Sequence, residues 1–249
     1  MSLAGKVAVI TGGASGIGRS ICLRLARDGA DIAVFDLNRS GAQQTAHAVE
    51  QLGRRATAIG VDVANATHVR AALAEVRRQL GPVQILVNDA GICEFAPFVE
   101  MSEALWDRMI AVHVKGAFHC ARAVIPDMQA ANWGRIVNLS SVAGLNGGGP
   151  GLVHYATAKA AIIGFTKSLA REIGPLGITV NAIAPGLIDT PMIRAAKVPE
   201  AIIQRTATET PMRRVGIPDD IAAACAYLVS SDASFLTGQV ISPNGGTYL

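Results

Sequence analysis

The chain has 249 residues, of which half are hydrophobic and 16% are charged. This composition supports a sizeable hydrophobic core and is too apolar for an intrinsically disordered chain. The formal net charge is +3, and the 22 basic and 19 acidic residues are interspersed along the chain. Such a distribution argues against nucleic acid as a partner.

The four cysteines lie far apart, and none has a partner at zinc-ligand spacing, so we expect reduced thiols and no metal site. The first residues lead into a strand-like run without the pattern of a signal peptide. No apolar run approaches the ~18 residues of a membrane-spanning helix. These features predict a soluble, cytoplasmic protein with no membrane partner.

Short runs rich in valine and isoleucine alternate with helix-length amphipathic segments, which predicts an α/β fold. In the first half the predicted order is strand 6–11, helix 17–26, strand 31–36, helix 40–52, strand 56–61, helix 66–80 and strand 84–88. The second half predicts one long or two abutting helices over 102–130, strand 135–139, helix 154–173, strand 178–182, helix 219–229 and strand 239–242. Because each crossover helix returns the chain to the same end of the sheet, the strands are expected to be parallel.

We expect residues 1–249 to form one domain with a Rossmann-type, doubly wound parallel sheet and helices on both faces. The segment 186–215 breaks the alternation, with several prolines and mixed polarity. Ligands of an open parallel sheet bind at the carboxyl ends of its strands, so this segment is predicted to be a lid over that crevice.

A glycine-rich turn, Thr11 to Gly18, lies between the first predicted strand and the first predicted helix. Its glycines permit a tight turn, a close approach of a pyrophosphate to the backbone, and close packing of the helix on the sheet. The free N–H groups at the start of the helix attract an anion. The residues predicted to bind a dinucleotide here are Gly12, Ser15, Gly16, Ile17 and Gly18.

Asp36 ends the second predicted strand, eighteen residues beyond Gly18. A carboxylate at this place can accept hydrogen bonds from the adenosine ribose hydroxyls and would repel a 2′-phosphate. Arg39 is the competing signal, because its guanidinium could pair with that phosphate. The sequence favours NAD, with NADP as the alternative.

Tyr155 and Lys159 are four residues apart on a predicted helix, so their side chains project from one face. The pKa of a phenol is normally near ~10, and a neighbouring ammonium favours the phenolate form that proton transfer needs. Ser140 and Ser141 follow the predicted strand 135–139, where a hydroxyl could hydrogen-bond a substrate oxygen.

Together these motifs resemble the short-chain dehydrogenase/reductase family over essentially the whole chain. The motifs are Thr11-Gly-x-x-x-Gly-x-Gly18, Asp62, Asn88-Asp89-Ala90-Gly91, Ser141, Tyr155-x-x-x-Lys159, Asn181, Pro185-Gly186 and Thr190. The resemblance implies that Tyr155 is the general acid/base, that Ser141 polarises the carbonyl or alkoxide, and that Lys159 lowers the tyrosine pKa and holds the nicotinamide ribose. It also implies a homotetramer and cofactor contacts from Asp36, Leu37, Asp62, Val63, Asn88, Ala90, Gly91, Pro185, Gly186, Ile188 and Thr190.

Two positions depart from the family pattern. Asp89 stands where the family usually has an asparagine, and we expect this change to be tolerated in a structural role. His113 also replaces an asparagine, one thought to support a water chain to the lysine. Imidazole can donate and accept hydrogen bonds, so one hypothesis is that His113 keeps this relay as a catalytic residue and adds a titratable group. The alternative is a packed helix residue with an altered relay.

The chain resembles both 3-oxoacyl-(acyl carrier protein) reductases and NAD-dependent secondary-alcohol dehydrogenases. The reductases typically prefer NADPH and have an arginine where this chain has Ser15. Their carrier-protein arginines would map near Asn132 and Leu176, neither of which is basic. We therefore favour an NAD-dependent alcohol dehydrogenase or ketoreductase. The alternatives are a 3-oxoacyl-(acyl carrier protein) or 3-oxoacyl-CoA reductase, and a non-catalytic NAD-binding sensor or scaffold.

The predicted substrate pocket is mostly apolar and would suit a hydrophobic ketone or a cyclic alcohol. Its candidate residues are Cys93, Glu94, Phe95, Leu145, Asn146, Val153, His154, Leu187, Met192 and Ile193. In the predicted lid, Arg194 and Lys197 could meet an anionic group or form a solvated face. Small residues along the helix 154–173 favour self-association through a helix face.

Overall fold

The computed structural model describes residues 2–196 and 198–249. Within these residues, seven strands form one sheet. The strands are β1 (Val7–Thr11), β2 (Asp31–Asp36), β3 (Ala56–Gly60), β4 (Ile85–Asn88), β5 (Gly134–Leu139), β6 (Ile178–Ile183) and β7 (Val240–Ile241). All neighbouring strands are parallel, and their order is β3-β2-β1-β4-β5-β6-β7. The predicted Rossmann-type sheet is confirmed.

Helices cover both faces of the sheet. They are α1 (Gly16–Arg27), α2 (Arg39–Glu50), α3 (Ala66–Gln79), α4 (Glu103–Ile110), α5 (Gly116–Ala130), α6 (Ala143–Asn146), α7 (Val153–Ile173), α8 (Pro191–Ala195), α9 (Glu200–Glu209) and α10 (Pro218–Val229). One hydrophobic core packs α1, α2 and α10 against the sheet, and a second packs α3, α5 and α7 on the opposite face.

The alternation of side chains along the central strands explains the two cores. Ile10 and Val34 point into the first core, whereas their neighbours Val9 and Phe35 point into the second, and all four are fully buried. Strands that are buried on both faces need apolar residues at successive positions, and β-branched side chains pack well on such strands. Burial of each large side chain contributes roughly 1.5–3 kcal/mol.

The site is positioned by the reversal of strand order at β1. After β3 the chain crosses to the other side of β1 and forms β4, so that Thr11 and Asn88 lie side by side at the carboxyl ends of adjacent strands. In doubly wound sheets the ligand crevice lies at this point of reversal. The glycine-rich turn follows β1 and therefore faces the same crevice.

The long helical region predicted over 102–130 is one continuous run with an irregularity. Helix α4 leads into a π-helical turn at Ala111–Lys115, which leads into α5. The extra residue of a π turn rotates the following helix and is often found at functional sites. His113 lies in this turn.

The segment 186–215 contains two helices that the sequence did not predict, α8 and α9. Its two ends lie side by side, because Ile188 forms a parallel β-bridge with Gly216. Its action as a lid stays a prediction. No helix in the described part of the chain is both long and apolar enough to span a membrane.

Candidate active site

Ser141, Tyr155 and Lys159 line one cavity at the carboxyl ends of β5 and β6. Ile188 and Met192, from the segment that follows β6, line the same cavity. The structure thus brings together the hydroxyl, phenol and ammonium groups that the sequence predicted to meet.

Short hydrogen bonds between β5 and α7 fix this arrangement. The Ser140 hydroxyl donates to the Lys159 carbonyl oxygen (2.8 Å), and the Lys159 ammonium donates to the Leu139 carbonyl oxygen (2.7 Å). Both serines line the cavity, but Ser140 is buried and donates its hydroxyl hydrogen bond to the backbone, whereas Ser141 is more exposed and its hydroxyl accepts a 3.1 Å hydrogen bond from the Ala143 N–H. This supports the assignment of Ser141, rather than Ser140, to the site.

Tyr155 lies deep in the protein, with only part of its surface at the cavity. Burial raises the pKa of its phenol well above the ordinary value, a nearby charge on Cys93 would raise it further, and a hydrogen bond with Ser141 opposes the shift. The Lys159 Nζ lies 5.6 Å from the centre of the Tyr155 ring. The pKa of Tyr155 is therefore raised, although the sequence led us to expect that Lys159 would lower it. The effect of burial on this pKa is larger than the effects of the neighbouring groups.

Lys159 is only 5% exposed. Burial lowers the pKa of its ammonium, and the carboxylate of Asp89 opposes this shift. Asp89 in turn has its pKa raised by burial, while the charge of Lys159 and a hydrogen bond from the Gly18 N–H lower it. Asp89 also lines the glycine-rich groove and the catalytic cavity, so it forms part of the wall of the site, and the tolerance of this change in a structural role stays a prediction.

His113 is packed against Tyr155 and the loop after β4. Its ring lies edge-on to the Tyr155 ring at 5.6 Å, and its Nε2 lies 2.8 Å from the Ile92 carbonyl oxygen and 3.1 Å from the Ile92 nitrogen. Burial, followed by the charge of Lys159, lowers the pKa of His113 to about 3. The ring is therefore neutral near pH 7, and the hypothesis that it adds a titratable group in that range is not supported.

The glycine-rich turn opens onto a groove of about 440 Å³ that continues toward the catalytic cavity. Gly12, Ser15, Gly16 and Ile17 line this groove. A Cβ atom at position 12 would come within 3.0 Å of the Ala90 backbone, so the turn lies as close to the neighbouring loop as a glycine allows. Ser15 begins α1 without a side-chain capping bond, which leaves N–H groups of the helix end for an anion.

The far end of the groove has the residues predicted to face the adenosine. Asp36 and Leu37 lie on one side, and Asp62 and Val63 lie on the other. The Asp36 carboxylate accepts hydrogen bonds from the backbone N–H groups of Ala14 (3.0 Å) and Asn38 (2.8 Å). These bonds hold the carboxylate at the groove, where a ribose hydroxyl would find an acceptor.

The remaining predicted cofactor contacts divide into two groups. Gly91, Pro185, Gly186, Ile188 and Thr190 line the catalytic cavity, and Ala90 lines the adenosine end. Asn88 is different, because its amide donates to Asn138 Oδ1 (2.8 Å), whose own amide donates to the Thr166 hydroxyl (2.9 Å). The Asn88 side chain therefore joins β4 to β5 and, through Asn138, to α7, and its contact with the adenosine side stays a prediction.

The predicted substrate pocket is only partly assembled. Met192 and Ile193 line the catalytic cavity, and Cys93 lines the adjoining groove. The exposed residues Glu94, Phe95, Asn146 and Val153, and the partly buried Leu145, lie outside these two linings.

Two pocket predictions need correction. His154 is fully buried beside Tyr155, because its side chain turns inward from α7. Leu187 lines a separate cavity next to α9 and not the catalytic cavity, whereas its neighbour Ile188 lines both. In the predicted lid, Arg194 pairs with Asp189 at 2.5 Å on the surface, and Lys197 lies outside the described residues.

Sequence reasoning missed the part played by Thr11 in shaping the site. Its hydroxyl oxygen accepts hydrogen bonds from the N–H groups of Asp89 (3.1 Å) and Ala90 (3.0 Å), which ties the loop after β4 to the end of β1. The position of Thr11 at a strand end beside Asn88 was a signal for such a contact.

The fold, the glycine-rich groove and the three converging side chains define a nucleotide-linked oxidoreductase site. The chain belongs to the short-chain dehydrogenase/reductase family. A family model described as enoyl-(acyl carrier protein) reductase matches residues 12–248.

Relatives over the whole length agree with this assignment. The 3-oxoacyl-(acyl-carrier-protein) reductase FabG of Staphylococcus aureus is 42% identical over 248 residues, which is 98% of each chain. A solved structure of a protein named a short-chain alcohol dehydrogenase from Sinorhizobium meliloti aligns with a TM-score of 0.94 at 38% identity, over 98% of this chain and 97% of that one. The structure of an NAD⁺-bound xylitol dehydrogenase aligns with a TM-score of 0.91 at 33% identity, over 97% and 98% of the two chains.

Proposed function

We propose that this protein is an NAD(H)-dependent oxidoreductase that interconverts a secondary alcohol and a ketone, with Tyr155 as the general acid/base. The observation that supports this most directly is the shared cavity of Ser141, Tyr155 and Lys159, which continues into the glycine-rich groove. A pure sensor or scaffold would not require these three side chains to face one cavity.

In the oxidation direction, Tyr155 accepts the hydroxyl proton of the alcohol while Ser141 hydrogen-bonds the same oxygen. In the reduction direction, Tyr155 donates that proton to the carbonyl oxygen. Lys159, held by the Leu139 carbonyl, keeps a positive charge beside the phenol and stabilises its deprotonated form. Tyr155, Lys159, Ile188 and Thr190 would hold the nicotinamide end of the cofactor, which would provide the hydride acceptor for oxidation and the hydride donor for reduction.

The choice of NAD over NADP rests on Asp36. Its carboxylate is held at the adenosine end by two backbone N–H groups and would repel a 2′-phosphate. Arg39 is exposed, and its side chain lies near Gly60 at the end of β3. The NAD⁺-bound relative named above is consistent with this choice.

The direct test follows NADH formation from NAD⁺ with a panel of cyclic and linear secondary alcohols, and repeats each assay with NADP⁺. We expect turnover of at least one apolar secondary alcohol, with NAD⁺ preferred by a wide margin. Cofactor binding without turnover of any alcohol or ketone would favour the sensor or scaffold.

A second candidate is a 3-oxoacyl thioester reductase, favoured by the curated relative of that name. Asn132 and Leu176, where the resemblance places carrier-protein arginines, offer no positive charge. Reduction of 3-oxoacyl-(acyl carrier protein) or 3-oxoacyl-CoA substrates that is faster than reduction of simple ketones would select this candidate. The homotetramer and the cytoplasmic location stay predictions, and sedimentation and cell fractionation would check them.

A further inference from the structure

Asp89 places a carboxylate at the first turn of α1. It lines both the glycine-rich groove and the catalytic cavity. A Cβ atom at Gly18 would lie 2.7 Å from Asp89 Oδ2, so the carboxylate lies directly against the first turn of α1. The first turn of α1 has no acidic residue of its own. Asp89 therefore supplies the negative charge that a helix amino end attracts.

The same helix end is where the proposed cofactor would bring its pyrophosphate. The loop that carries Asp89 is tied down by Thr11, which accepts hydrogen bonds from the Asp89 and Ala90 N–H groups. Because the loop is fixed, the Asp89 carboxylate cannot move away when the pyrophosphate binds. Two negatively charged groups would then lie at the amino end of the same helix and compete for its N–H groups. An asparagine at position 89 would place no negative charge beside that of the pyrophosphate.

We propose that Asp89 makes dinucleotide binding dependent on pH, because its carboxylate opposes the pyrophosphate and binding is tightest when this carboxyl group is protonated. This inference rests on the proposed nicotinamide-dependent function and adds a means of regulating the same site. It predicts that cofactor affinity falls as pH rises, through one residue of the groove wall.

Several charged or titratable groups surround Asp89. They are Asp36 at the end of β2, Lys159 and Tyr155 on α7, Arg108 on α4, Cys22 on α1 and Cys225 on α10.

Among these groups, the pKa values of Asp89 and Lys159 are the ones shifted toward neutral pH. Burial raises the pKa of Asp89 and lowers that of Lys159. Burial raises the pKa of both Cys22 and Cys225, so that these thiols stay protonated. Lys159 is present in wild type and in an Asp89 variant alike, but the Asp89 carboxylate opposes the lowering of the Lys159 pKa. A comparison of the two proteins therefore measures the effect of the carboxyl group together with its effect on Lys159.

The experiment measures the Kd of NADH by fluorescence titration for wild type and Asp89→Asn between about pH 6 and about pH 8.5. The ratio of the wild-type Kd to the variant Kd should be near one at the acidic end and about ten at the alkaline end, because deprotonation of Asp89 penalises only wild type. Asp232→Asn, an exposed site with the same change in charge, should keep the wild-type Kd throughout.

A ratio that does not change with pH, or an Asp89→Asn variant that binds NADH more weakly at the alkaline end, would overturn the inference. Asp89→Ser should repeat the result and guards against a folding defect in the first variant. If the Asp89 variants and wild type alike fail to bind any nicotinamide dinucleotide, the proposed function itself is wrong. The binding measurement thus separates the two failures without an activity assay.

Discussion

The Ser140 hydroxyl donates a 2.8 Å hydrogen bond to the Lys159 carbonyl oxygen, which joins the end of β5 to α7 at the residue that supplies the site's ammonium. The neighbouring Ser141 is more exposed and lines the same cavity. The first of these adjacent serines holds the site together, and the proposed function assigns contact with the substrate oxygen to the second.

Replacement of these two serines should separate stability from turnover. Ser140→Ala removes a buried hydrogen bond and should lower the free energy of unfolding by about 1–2 kcal/mol, with kcat reduced only modestly. Ser141→Ala should leave stability nearly unchanged and lower kcat about a hundredfold or more. Denaturant unfolding and steady-state kinetics on both variants provide the check, and the reverse pattern would reassign the substrate contact to Ser140.

Gly144 permits the close contact between α6 and α7. A Cβ atom there would lie 2.7 Å from the Lys159 carbonyl carbon and 2.9 Å from the Ala160 nitrogen, and backbone cannot move aside as a side chain can. Gly144→Ala should therefore cost about 1–3 kcal/mol of stability and most of the activity. Gly174→Ala, just after α7, with right-handed helical backbone and nothing within 4 Å of the added Cβ, is the control. It should retain activity, with stability changed by less than about 1 kcal/mol.

Asp36 should determine the preference between the two nicotinamide dinucleotides. Asp36→Ala removes the acceptor for the ribose and the charge that repels a 2′-phosphate, so the ratio of kcat/KM for NAD⁺ to that for NADP⁺ should fall at least about tenfold. Adding Arg39→Ala to this variant tests whether the guanidinium pairs with the phosphate. Equal use of both cofactors by the unaltered protein would refute the assignment.

The buried His113 ring should affect stability in acid more than the pH profile of catalysis. Its pKa is held at about 3 in the folded protein, whereas an unfolded histidine titrates near ~6.5. As pH falls below that unfolded value, the unfolded state takes up a proton that the folded state does not, and stability is lost.

Between roughly pH 7 and pH 5, the free energy of unfolding of His113→Asn should fall by about 1–2 kcal/mol less than that of wild type. The profile of kcat against pH above neutrality should keep its shape, because the ring is neutral there. A shifted kinetic pKa in His113→Asn would instead show that the imidazole takes part in proton transfer. Thermal unfolding and initial rates over the same pH series make the comparison.

The sheet and the three converging side chains could be predicted from the sequence because their signals are local or depend on strand ends. Tyr155 and Lys159 share a helix face by their spacing alone, and a parallel sheet brings strand ends to one edge. Helices α8 and α9 were not predicted, since prolines and mixed polarity concealed the start of α8 at Thr190 and Pro191.

The charges and the pocket could not be predicted in the same way, because they depend on tertiary packing. The burial that raises the Tyr155 pKa comes from several elements at once. His154 turns inward although its neighbour Tyr155 faces the cavity, and no spacing rule specifies that difference. The position of Asp89 close to Gly18 and Lys159 could not be predicted from the sequence, because it arises from the side-by-side placement of β1 and β4.

The central claim is that the Tyr155 phenol transfers the proton in a nicotinamide-linked redox reaction. The most direct measurement compares wild type and Tyr155→Phe for the rate of NADH formation and for NADH binding. The account predicts a fall of about 10²–10⁴ in rate with NADH affinity nearly unchanged, since only the hydroxyl is removed. A Tyr155→Phe variant that oxidises the same alcohol at the wild-type rate would contradict it.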